Sequence, residues 1–278
     1  MPDTGLDAAA ARRQAEERMQ SMSFLAHLEE LRRRIIWSIV FIAAGFGVCW
    51  AYAERIYAFI QRPIMQAFQH QQEVLRQADP TLVLPQRLVY LNPTEPFNMY
   101  LKIGLIAGIF VASPFVLYQV WAFISPGLYR HEKRYVLPFM FFTVLLFLGG
   151  GYFGYRIVYP AALDFLVGYG KQFQPMITIT EYTDLFMVIV LGLGVVFEMP
   201  ILVFFLALMG IVSAGWMWRN LRYSILVIFI IAAILTPTTD IMNMCVFAAP
   251  MIVLYIISIF VAWLVHPRRR KAAKTKAQ

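Results

Sequence analysis

Charge is what this sequence has least of. Only 14% of its 278 residues are Asp, Glu, Lys or Arg, whereas 60% are hydrophobic and the mean hydropathy is +0.64. A soluble domain carries about a quarter charged residues to cover its surface, so that class is excluded. Cysteine is scarce too. Cys49 and Cys245 each sit in an apolar segment without metal-ligand spacing and read as small buried residues, although a disulfide between them stays open. The four histidines fall outside the apolar runs, and the helical His-Glu-x-x-His zinc signature is missing, although "HLEEL" at 27–31 begins like it. None of Ser113, Ser125, Ser213, Ser224 and Ser258 sits in the Gly-x-Ser-Gly turn that an intramembrane serine protease needs. No Gly-rich loop with a lysine offers an ATP site. The expectation is a non-enzyme with no metal and no cofactor. The N-terminal stretch "MPDTGLDAAAARRQAEERMQ" has no apolar core, so it is expected not to be a cleaved secretory signal. An internal repeat is absent as well, which weighs against a transporter built from two halves.

Long apolar runs are what is there. Charged and Pro/Gly-rich punctuation divides them into six helices at about 35–53, 98–124, 135–158, 184–211, 222–236 and 241–265. Several reach the roughly 20 residues that cross a bilayer. The expected fold is all-α: a polytopic membrane protein of six transmembrane helices, the last two short, forming a concave bundle. The fifth run is the odd one. Thirteen residues, Tyr223 to Leu235, lie between Arg222 and the Thr236-Pro237 break. At 1.5 Å per residue they cover about 20 Å of a roughly 30 Å hydrocarbon core. Such a helix thins the bilayer, shelters behind its neighbours or belongs to a re-entrant hairpin with helix six.

Basic residues set the expected orientation. Seventeen Lys and Arg fall in the N-terminal tail, the second and fourth loops and the C-terminal tail, against six on the opposite side. Lys102 lies within helix two, near enough to the outer interface to snorkel. Both termini are thus expected in the cytoplasm and the long loop 54–97 outside. The net charge of +8 follows from this bias and suits an anionic inner leaflet rather than nucleic acid. Residues 1–21 read as a weakly helical cytoplasmic extension, 22–265 as the membrane domain and 266–278 as a basic tail, disordered from 268.

Three stretches could carry function. "MSFLAHLEELRRRIIW", 22–37, repeats Met22, Leu25, Leu28, Leu31 and Ile35 at helical spacing, an amphipathic approach to the membrane. Its Glu29–Arg33 and Glu30–Arg34 pairs suit a solvated helix face equally well. "YQVWAFISPGLYRHEKRYVLP", 118–138, gathers Tyr118, Trp121, Phe123 and Tyr129 as an interfacial belt would, yet it holds an acid, Glu132, where the topology rule asks for base. "VVFEMPIL", 195–202, sets Glu198 in the middle of helix four, about 20 Å from each end. An ionised side chain there costs about 3 kcal/mol or more. Even as a neutral acid it needs a hydrogen-bond partner. Pro200 removes an N–H from the ladder, leaves the Val196 carbonyl free and favours a kink.

Together these stretches resemble the TatC family, the polytopic core of the twin-arginine protein translocase. "FLAHLEELRRRI", "SPFVLYQVWAFISPGLYRHEKR", "FEMP" and "LTPTTD" carry the resemblance across residues 22–265. It implies a translocase subunit in a bacterial-type cytoplasmic membrane, which recognises the paired arginines of folded precursors' signal peptides. Transport is then driven by the proton-motive force, with the single-span partners TatA and TatB and other copies of the chain. By motif position, Glu30 and Glu132 become the acids that meet the arginines, with Arg32, Phe123, Pro126, Leu128, Tyr129 and Arg134 around them. Glu198 with Pro200 matches the family's intramembrane acid, Thr236 and Asp240 a partner-contact stretch, and Pro63 a structural proline opening the outer loop. "TPTTD" places Asp240 one residue further from Pro237 than the commoner "TPPD" does. Two rivals remain on the residues alone: a proton-coupled transporter using Glu198, and a structural membrane scaffold. The short fifth helix favours a translocase, because a thinned patch suits a bulky protein better than a sealed solute path.

Overall fold

Helices account for nearly all of this computed structural model, which describes residues 4–78, 88–124, 136–169, 176–236 and 241–275. They are α1 (Thr4–Ala51), α2 (Ala53–Ile60), α3 (Arg62–Ala78), α4 (Glu95–Ile124), α5 (Val136–Phe153), α6 (Tyr159–Tyr169), α7 (Ile179–Val196), α8 (Met199–Leu208), α9 (Ala214–Arg219), α10 (Leu221–Leu235) and α11 (Ile241–Thr275). Among the described residues, the one departure toward sheet is a bridge between Val89 and Thr178. Five segments are long and apolar enough to cross a membrane: Ala26–Ala51, Glu95–Phe123, Phe139–Gly168, Ile179–Leu208 and Met244–Leu264. The sixth, Leu221–Ile234, is shorter, as expected. With α9 lying just before it and Tyr255 donating to the Met217 carbonyl at 3.0 Å, α9 and α10 are held against α11.

Small residues bring the helices together. In a membrane, apolar burial alone does not drive association, so close backbone approach supplies the contact. A Cβ on Gly108 of α4 would stand 2.5 Å from the Phe46 nitrogen of α1, and one on Gly150 of α5 would stand 2.6 Å from the Leu193 carbonyl oxygen of α7. Those two pairs, α1 with α4 and α5 with α7, are the main contacts of the first four spans. Gly104-x-x-x-Gly108 and Gly150-x-x-x-Gly154 are thus packing motifs that were open to view in the sequence.

Several boundaries differ from expectation. The third span does not stop at 158. A π-turn, Gly154–Val158, lets the Tyr159 N–H reach the Gly154 carbonyl, so Pro160 enters without breaking the helix and α6 runs on to Tyr169. The segment 54–97, expected as an outward loop, is partly helical. Ile60, Ile64, Ala67 and Phe68 of α2 and α3 are buried at helical spacing, and Pro63 is buried in the first turn of α3. Tyrosines of other helices close the end of α2: Tyr182 donates to the Ile60 carbonyl at 2.6 Å and Tyr155 to that of Phe59 at 2.8 Å. These bonds satisfy carbonyls that a helix end leaves free. The C-terminal basic run is helical to Thr275 rather than irregular from 268, consistent with its alanines and lysines as good helix formers and with cations at a helix C-terminus. Cys49 is buried but Cys245 is exposed, and both are free thiols. Lys102 does not snorkel alone but pairs with Asp184, joining α4 to α7.

Candidate functional site

Glu198 sits where two helices meet end to end. Thr178 caps α7, its Oγ1 accepting from the Glu181 N–H at 3.2 Å, so the fourth span begins at Ile179, earlier than expected. At its far end Gly210, with φ of 77°, lets the Ile211 N–H reach the Leu206 carbonyl and stops the helix. The carboxyl is therefore not central: ten residues, about 15 Å, separate it from Leu208. Pro200 falls in the first turn of α8, and the ladder breaks just before it. Phe197 and Glu198 form the turn, with the Glu198 N–H on the Val195 carbonyl at 3.1 Å and its own carbonyl accepting from Ile201 and Leu202.

This bend faces a cavity of about 530 Å³. Leu117, Val120, Trp121 and Phe123 of α4, Thr143 of α5, and Leu202, Phe205 and Leu206 of α8 line it, with His27 of α1 at the end where Phe123 stands. Nearly all of this wall is apolar. Trp121, expected in an interfacial belt, is instead buried, packs at a tilt on Phe205 with ring centroids 4.1 Å apart and donates its indole N–H to Thr143 Oγ1 at 3.1 Å. The tryptophan is satisfied; Glu198 is not. Its Oε1 is buried and has no hydrogen-bond partner among the described residues. A polar atom left so costs about 1–3 kcal/mol, and a ligand or helix entering the cavity with a donor recovers it.

The second cluster lies at the His27 end. His27 stacks on Phe123, ring centroids 4.4 Å apart. One turn further, Glu30 accepts from Arg34 Nη2 at 3.2 Å, while Arg34 Nη1 donates to Gln119 of α4 at 2.9 Å. Glu29, Glu30, Arg32, Arg33 and Trp37 border a further cavity of about 530 Å³ on the outer face of α1. The structure thus brings Glu30, Arg32 and Phe123 to one end of the bundle; the apolar cavity runs from His27 and Phe123 to Glu198, while Glu30 and Arg32 border the separate cavity on α1.

The other predicted residues are placed less fully. Pro126, Leu128, Tyr129, Glu132, Arg134 and Asp240 lie outside the described residues. Thr236 is buried, and its hydroxyl donates to the Ala232 carbonyl of its own helix at 2.9 Å, away from the Glu198 cavity. Sequence reasoning missed His27, Gln119 and Thr143 as parts of the site. Gln119, a polar residue within an apolar run, was a usable signal; His27 and Thr143 gain their place only through helix packing.

Comparison with known proteins agrees with this geometry. The family model for the Sec-independent protein translocase protein (TatC) matches residues 26–250. The Sec-independent protein translocase protein TatC of Koribacter versatilis is 72% identical over 271 residues, covering 98% of this chain and 96% of that one. That of Aquifex aeolicus is 34% identical over 256 residues, 91% and 100% of the two chains. A crystal structure of a twin arginine translocase receptor, TatC, aligns with a TM-score of 0.72 at 35% identity, covering 86% of this chain and 99% of its own. By sequence and by fold, this chain belongs to the TatC family of Sec-independent protein translocase components and is a membrane protein.

Proposed function

We propose that this chain is the receptor of a twin-arginine translocase. It binds the paired arginines of folded precursors' signal peptides at the cytoplasmic end of the bundle. With TatA- and TatB-type single-span partners and further copies of itself, it passes those precursors across the inner membrane. The proton-motive force drives transport. Both termini are cytoplasmic, as the basic residues argue.

The observation that carries this reading is the apolar cavity that runs from His27 and Phe123, near the Glu30–Arg34 pair, to Glu198, whose Oε1 is buried without a partner among the described residues. Carboxylates suit guanidinium because they accept two parallel N–H bonds, which an ammonium cannot supply. The apolar length behind them suits the hydrophobic stretch of a signal peptide or a partner helix. Glu198 then offers a hydrogen bond to whichever helix enters, one step after recognition. Glu132, Tyr129 and Arg134 complete the arginine site from the segment that follows α4 in the sequence, and Thr236 and Asp240 contribute to partner contact after α10.

The test is photocrosslinking in membranes with a twin-arginine precursor and its Lys-Lys counterpart. Labelling is expected for the arginine precursor and is expected to be lost when Glu30 and Glu132 are replaced together by Gln. Equal labelling by both precursors, or contacts that survive the double replacement, would sink the recognition claim.

A further inference from the structure

We propose that Arg34 is a positioning residue: held by Gln119, it orients and partly neutralises Glu30, so that the carboxylate selects an arginine over a lysine. The inference rests on the reading above that Glu30 receives a precursor arginine.

Arg34 bridges two helices from one planar group. Nη1 bonds Gln119 Oε1 on α4 at 2.9 Å, and Nη2 bonds Glu30 Oε1 one turn earlier on α1 at 3.2 Å. A solvated i,i+4 pair needs no such tether, and the two side chains are only 23% and 26% exposed. Arg34 Nε is buried without a partner among the described residues, so the group has been drawn away from its own best pairing. The contact with Glu30 is on one oxygen and long compared with about 2.7–2.9 Å for a close charged pair. A carboxylate has about four acceptor positions. One is taken by Arg34, and among the described residues no other bond to Glu30 is formed, which leaves the remaining edge to accept a second guanidinium by two parallel bonds.

Two consequences separate arginine from lysine. First, Arg34 fixes the plane of the Glu30 carboxylate, which matters to a planar fork and little to an ammonium that binds as a point charge. Second, Arg34 cancels much of the charge that would attract any cation, and Arg32 and Arg33 on the same turn add to that. What is left is geometry, and geometry favours arginine. Blunting the common attraction while keeping the directional one is how a site rejects the near-miss ligand.

The experiment is equilibrium binding of a synthetic twin-arginine signal peptide and its Lys-Lys counterpart to the full chain in lipid nanodiscs. The proteins compared are the parent, Arg34→Gln, Arg34→Lys, Gln119→Leu and Glu30→Gln. The ratio of arginine to lysine affinity is expected to fall about threefold or more in Arg34→Gln, Arg34→Lys and Gln119→Leu, the scale of one partly exposed ion pair. Arg34→Lys is decisive because it keeps the charge, so its lower ratio does not come from weaker repulsion. Gln119→Leu changes only the tether, on a different helix, and keeps the inference testable if an Arg34 variant folds poorly. An unchanged ratio in Arg34→Lys and Gln119→Leu, with arginine preference lost in Glu30→Gln, overturns the role of Arg34 and leaves recognition at Glu30 standing. Parent-like binding of both peptides by Glu30→Gln overturns the recognition reading and the inference with it.

Discussion

A single carboxyl oxygen separates a passive apolar groove from one with a preferred guest. Glu198 Oε1 is buried and unpaired among the described residues within a largely apolar wall, while Trp121 and Thr143, which line the same cavity, satisfy each other. Hydrogen bonding rather than charge is then the property to test. With a photoreactive residue at Leu202, Glu198→Gln is expected to keep crosslinking to a partner or signal-peptide helix. Glu198→Leu is expected to reduce it about tenfold, the worth of one buried hydrogen bond. Equal labelling in both variants would mean that the carboxyl does not take part in docking. Transport by Glu198→Gln with the parent's pH profile would also rule out an obligatory protonation at this position.

Helix pairs, not single residues, decide how the groove is held open. The α1–α4 crossing sets Arg34 beside Gln119 and His27 beside Phe123, and it depends on Gly108. A methyl group there would stand 2.5 Å from the Phe46 nitrogen and 2.8 Å from its Cα, both backbone atoms that cannot swing aside. Gly108→Ala is therefore expected to cost about 1–3 kcal/mol. Gly47→Ala, on the same helix as Phe46 but with nothing within 4 Å, is expected to be neutral or to gain up to about 1 kcal/mol in helix propensity. Denaturation in mixed detergent micelles compares the two directly. Equal effects would show that close approach is not what joins these helices.

For the whole molecule, orientation is the property that all the parts share. Seventeen basic residues against six imply cytoplasmic termini. Introduced cysteines at Ala9 and Ala277 are expected to react with an impermeant maleimide only after the membrane is opened. One at Glu73 in α3 is expected to react in intact cells. The reverse pattern would place the cluster proposed to bind arginine on the wrong side for any precursor. The Lys102–Asp184 pair and the tyrosines bonded to α2 lock the end of the bundle opposite the cluster of Glu30, Arg34 and Gln119.

The sequence by itself determined the class, the spans and the side chains worth watching. Length and hydropathy are properties of contiguous residues, and a carboxyl two residues before a proline inside an apolar run is costly wherever the fold carries it. It also determined the basic bias, since topology is read from loops one by one. Its boundaries failed where a remote or backbone feature intervened. The Gly154–Val158 π-turn carries the helix past Pro160, the Thr178 cap starts α7 early, and tyrosines from α7 and from the π-turn bond the end of α2. Only the tertiary structure could set Gln119 against Arg34, 85 residues apart, or His27 against Phe123, or enclose Glu198 with Trp121 and Thr143. Those contacts depend on where glycines let helices meet, and the meeting point of two helices is not a property of either one alone.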